Sequence, residues 1–89
     1  MTDKRLLVFT TLADCLNFTQ TAQRLGISQP AVTKHIAALE TEIGAALFVR
    51  YGRSVILTDK GKALLPIARK ILGAYTEIEN IKAFRDTPI

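Results

Sequence analysis

Apolar residues in this chain recur at helical spacing, give way once to short consecutive runs, and return to helical spacing for the last third. Over residues 4 to 16, Leu6, Phe9, Leu12, Ala13 and Leu16 share one face, which predicts an amphipathic helix ending near Asn17. Thr19 is placed to cap a second helix over about residues 20 to 25, with Ala22 and Leu25 inward and Phe18 as an anchor ahead of it. Gly26 supplies the positive φ that ends a helix, and Ser28 caps a third, whose first turn tolerates Pro30 because no intrahelical donor is lost there. In that third helix Val32, Ile36, Leu39 and Ile43 stand at i, i+4, i+7 and i+11, a single stripe that must be buried.

The opposite side of the third helix carries Gln29, Thr33, Lys34 and Ala37, small and polar, with no acid before Glu40. A helix with an apolar back, a hydrogen-bonding front and a glycine turn ahead of it suits reading of the DNA major groove. Plain helical hairpins share this helix-turn-helix spacing. The runs Leu47-Phe48-Val49 and Val55-Ile56-Leu57 flank Tyr51-Gly52-Arg53-Ser54 and predict two short strands around a turn, a wing beside the helix pair. Arg50 and Arg53 bracket its tip, as phosphate or minor-groove contacts or as solvated turn residues.

From Thr58, a cap with Asp59 behind it, helical spacing resumes. Leu64, Ile67, Ile71, Ala74, Ile78 and Ile81 follow alternating steps of three and four, a coiled-coil seam, while Leu65, Ala68, Leu72 and Tyr75 form a second stripe beside it. A helix of about 26 residues extends roughly 39 Å, longer than a small three-helix body shields, so the seam implies a homodimer; a folded-back core helix is the alternative. Pro66 removes one backbone bond and predicts a mild kink.

Charge sharpens this reading. The net charge is +4, and residues 45 to 89 hold eight basic and four acidic side chains, against four of each in residues 1 to 44. Arg50, Arg53, Lys60, Lys62, Arg69 and Lys70 are opposed there only by Asp59, so the positive field lies beside the helix pair, and the basic balance points to polyanionic partners or a membrane surface without choosing between them. Lone Cys15 allows no internal disulfide and reads as a small buried hydrophobe. One His and one Cys without partners, no paired carboxylates and no glycine-rich phosphate loop leave no catalytic residue and no metal site to nominate. No apolar run approaches a membrane span, so the expected setting is the cytoplasm without membrane association. A winged helix used only for protein contacts would expose apolar residues where this third helix exposes Gln29, Thr33 and Lys34.

The ordered set Phe18-Thr19, Ala22, Leu25, Ser28-Gln29-Pro30-Ala31-Val32-Thr33-Lys34, Ile36, Leu39-Glu40, Gly44, Leu47-Phe48, Arg50, Arg53, Leu57-Thr58 and Gly61 resembles the N-terminal DNA-binding domain of LysR-type transcriptional regulators. The resemblance implies a mainly α fold: a winged helix-turn-helix of three helices and a β-hairpin over residues 1–57, then a long dimerising linker helix over 58–89. It implies that Gln29, Pro30, Ala31, Thr33 and Lys34 read bases, Lys34 standing where arginine is usual. Arg50 and Arg53, with Ser28, Thr19 and His35, are assigned to the wing and phosphates. The expected partners are double-stranded DNA at palindromic promoter sites and a second copy, with a tetramer and RNA polymerase contact in the full-length regulator. No cofactor is expected in this segment, because the small-molecule inducer belongs to an effector domain absent from these residues.

Overall fold

The computed structural model describes residues 3–52 and 54–83, and its element order is α1 (Asp3–Cys15), α2 (Phe18–Leu25), α3 (Gln29–Ile43), β1 (Phe48–Tyr51), β2 (Ser54–Leu57) and α4 (Asp59–Ala83). Helix α1 is central and packs on α2, α3 and α4. It therefore buries Val8 as well as the expected Leu6, Phe9 and Leu12, a wider arc than one amphipathic stripe. Leu16, expected on that face, is exposed: it follows the helix with φ of 51°, and the chain turns there before its side chain reaches the core. Cys15 is a free, half-buried thiol.

The cap of α2 is Asn17, not Thr19. Its side-chain oxygen accepts from the Gln20 amide at 2.8 Å, so the helix begins at Phe18 and that ring packs against the core from its first turn. Thr21 is fully buried, and its hydroxyl donates to the Asn17 carbonyl at 2.8 Å. Gly26 adopts φ of 64° at the end of α2, and the Ser28 hydroxyl accepts from the Ala31 amide at 3.2 Å to open α3. Val32, Ile36 and Leu39 are buried as the stripe requires, whereas Ile43 at the last turn is exposed.

The strands pair antiparallel, with Phe48 opposite Leu57, Val49 opposite Ile56, Arg50 opposite Val55 and Tyr51 opposite Ser54. Tyr51 and Ser54, expected in the turn, thus belong to the ladder, while Leu47 precedes it. Glu40 anchors this entry: its carboxylate accepts from the amides of Leu47 at 2.7 Å and Phe48 at 3.4 Å. Phe48 then packs on Phe9 with ring centroids 5.5 Å apart. At the exit, Thr58 accepts from the Gly61 amide at 3.1 Å as the cap of α4, and its own hydroxyl donates to the Ala46 carbonyl at 2.7 Å. A Cβ on Gly61 would press into the Leu47 carbonyl and stand 2.6 Å from Leu57 Cδ1, so a larger residue here must displace the backbone at Leu47.

Helix α4 lays Leu65, Ala68 and Leu72 on the body, with Ala68 at 0% exposure, and Arg69 bonds Asp14 of α1 at 3.0 Å. Leu64, assigned to the seam, is half-buried against the same core. Tyr75, assigned to the second stripe, lies past that contact and is exposed. Pro66 is accommodated inside the helix.

Candidate nucleic-acid interface

Helix α3 is fixed from behind by Val32, Ile36 and Leu39 and at its start by the Ser28 cap, which together aim Gln29, Pro30, Thr33, Lys34 and Ala37 outward around one shallow depression. All five are exposed, and Ala31 is half-buried on one side. Polar groups on a rigid helix can meet base edges without first being ordered. The Thr19 hydroxyl donates to Gln29 Oε1 at 3.4 Å, a long bond that leaves the amide NH₂ and one carbonyl lone pair for another partner.

The hairpin stands on the Gln29 and Thr33 flank. Within β1, Phe48 and Arg50 project on the same side, so Phe48 enters the core while Arg50 continues along the rim. Its guanidinium lies 4.0 Å from the centroid of the Phe18 ring, a cation–π arrangement that holds the charge beside the exposed face of α3. Asn17, Thr19, Gln29, Arg50 and Gly52 open onto a common groove there. The Arg50 stack and the Glu40 anchor are contacts between separate elements, which local spacing does not signal. Arg53, assigned to the wing tip, lies outside the described residues.

On the opposite flank, His35 is half-buried between α3 and the start of α1. Burial first, then the charges of Lys4, Arg5 and Lys34, hold its imidazole below the ordinary histidine range. Thr19 and Ser28 sit at the starts of α2 and α3 on the same side of the molecule as Gln29, so the structure gathers these candidates around one face. The seam candidates lie elsewhere, on α4: Ile67 is 54% exposed, Ile71 38%, Ile78 51% and Ile81 71%, and Ala74 is exposed between them.

Among the described residues, no cluster of His, Cys, Asp or Glu is arranged to hold a metal ion, and no helix is long and apolar enough to cross a membrane.

Comparison with known proteins agrees with this geometry. The family model described as bacterial regulatory helix-turn-helix protein, lysR family, matches residues 4–62. The HTH-type transcriptional regulator CitR of Bacillus subtilis is 50% identical over 72 residues, which are 81% of this chain and 25% of CitR. The chain thus spans about a quarter of the length of such relatives. Among solved structures, the CbnR DNA-binding domain in its DNA complex aligns over 93% of this chain and 95% of that one, at 34% identity and a TM-score of 0.86. The BenM DNA-binding domain bound to catB site 1 DNA aligns over 100% of both, at 27% identity and a TM-score of 0.91.

Proposed function

The chain belongs to the lysR family of bacterial regulatory helix-turn-helix proteins, and from that premise we propose that it binds double-stranded DNA sequence-specifically, with α3 in the major groove. Gln29, Pro30, Ala31, Thr33 and Lys34 then meet base edges: the Gln29 amide pairs with adenine, Lys34 reaches guanine acceptors, and the apolar surface of Pro30 and Ala31 meets thymine methyls. Arg50 and Arg53 of the wing, with Thr19, Ser28 and His35, contact the backbone and supply the salt-dependent share of affinity. The observation that carries this reading is the exposed Gln29, Thr33 and Lys34 face set directly over a buried Val32, Ile36 and Leu39 back.

Residues 1–57 form the reading module and 58–89 the linker. Two chains pair through Leu64, Ile67, Ile71, Ala74, Ile78 and Ile81, so that two copies of α3 address half-sites related by a dyad. The exposure of the four isoleucines supports this pairing. Its work is binding rather than catalysis, and its setting is the cytoplasm. A small-molecule inducer, assembly into a tetramer and contact with RNA polymerase are proposals for a longer protein that carries this segment.

The test is Gln29→Ala, compared on a selected duplex and on random duplex. The expected result is a loss of about 1 to 3 kcal/mol on the selected site and little change on random DNA. Equal losses on both would remove Gln29 from the reading role.

A further inference from the structure

Helix α3 has two flanks, and a basic feature is built against each. On the flank of Gln29 and Thr33 the hairpin brings Arg50, held over Phe18. On the other flank α1 packs on α3, and Lys4 and Arg5 of α1 line one open depression with Ala31, Lys34, His35 and Ala38 of α3. Lys34 borders both this depression and the outer reading face, so the two surfaces are continuous. The major groove is walled by two phosphodiester strands, one on either side of a helix lying in it. Resting on the reading of α3 as the groove helix, we infer that Lys4 and His35 form a second phosphate-binding shoulder. It holds the strand across the groove from the one that Arg50 meets.

The charges around His35 make this shoulder responsive to protons. From α1 it is faced by Lys4 and Arg5, and from α3 by Lys34; Glu42 of α3 is engaged with Arg5. Burial and those cations favour the neutral imidazole in the free protein. A phosphodiester seated among them brings the opposite charge and raises the imidazole pKa in the complex. Binding is therefore coupled to proton uptake: affinity rises as pH falls through the window between the bound and free values, and is flat above it.

The experiment uses the 89-residue chain and a duplex that it enriches from a random library. Ethylation of single phosphates maps the contacts. Within one half-site, Lys4→Ala should lose interference on one strand and Arg50→Ala on the other, and Lys4→Ala should make the slope of log affinity against log salt shallower by about 0.9 per chain. Calorimetry near pH 6.5, about the ordinary histidine value, in two buffers of different ionisation heat should show proton uptake by the parent chain and none by His35→Gln. An ethylation pattern unchanged by Lys4→Ala, loss on the same strand as Arg50→Ala, or proton uptake retained by His35→Gln would overturn the shoulder. If Gln29→Ala abolishes selectivity while those results are negative, the shoulder alone falls. If the chain enriches no sequence, the groove reading falls with it.

Discussion

Replacing Ile71 and Ile78 together by aspartate isolates the role of the linker helix from that of the reading module. Ile71 is 38% exposed and Ile78 51%, and the exposed fraction is what a second chain can cover. Fully burying an isoleucine is worth about 1.5–3 kcal/mol, so covering these fractions contributes about 0.6 to 1.1 kcal/mol at Ile71 and about 0.8 to 1.5 at Ile78. Twofold symmetry doubles both, which gives about 3 to 5 kcal/mol per dimer before the cost of seating carboxylates in the seam, or roughly two to four decades in the dissociation constant. Both side chains face outward from the folded chain, so the variant should keep its helical circular dichroism and its thermal transition. Sedimentation equilibrium across a concentration series should then show a dimer for the parent and a monomer for the variant. A dimer of unchanged affinity would place the interface elsewhere and refute the seam.

Three further changes test how the interface is held. Gly61→Ala forces a methyl against the Leu47 carbonyl and the Leu57 side chain; because a backbone atom must yield, thermal denaturation should show a loss of about 1–3 kcal/mol, and an unchanged transition would mean that the crossing is loose. Glu40→Ala strips the hairpin entry of its charged acceptor for two amides; the expected cost is about 2 kcal/mol, read as a fall of roughly 8 to 16 °C in Tm, and a fall under ~4 °C would assign those amides another partner. Arg50→Ala should weaken specific and random duplex alike and flatten the salt dependence by about one ion per chain; an unaltered slope would show that the stacked guanidinium serves only the fold.

Local signals explain what was legible in advance. Gly26, Ser28, Pro30 and Thr58 each act within three or four residues of themselves, and each ends or opens a helix where expected. The period of Val32, Ile36 and Leu39 located the back of α3, and by subtraction its front. Thr19 was the expected cap of α2, and Asn17 holds that place because the chain bends at Leu16 and Phe18 enters the first turn, neither of which is visible in local spacing. The buried arc of α1 is wider than the expected face for a related reason: packed on three neighbours, the helix has no single apolar stripe. Glu40 on the hairpin entry, Arg50 over Phe18 and Gly61 under Leu47 join segments that meet only in the folded chain. These contacts place the hairpin and α4 relative to α3, so the exposed face of α3 was legible while the frame that presents it was not.

The frame also accounts for a division of labour along α4. Its first half is bound to the body through Ala68, Leu72 and the Arg69–Asp14 pair, so any partner gripping the second half is coupled rigidly to α3 through α1. In the proposed dimer, the spacing between the two copies of α3 would then be a property of the fold rather than of a flexible tether.

Selection of bound duplexes from a random library at near-physiological salt, followed by sequencing of the enriched pool, tests the central claim most directly. The account predicts enrichment of an inverted repeat, with the half-site separation set by the paired linker helices. A pool that stays random, with binding that simply fades as salt rises, would contradict it and leave a basic domain that holds phosphates without reading sequence.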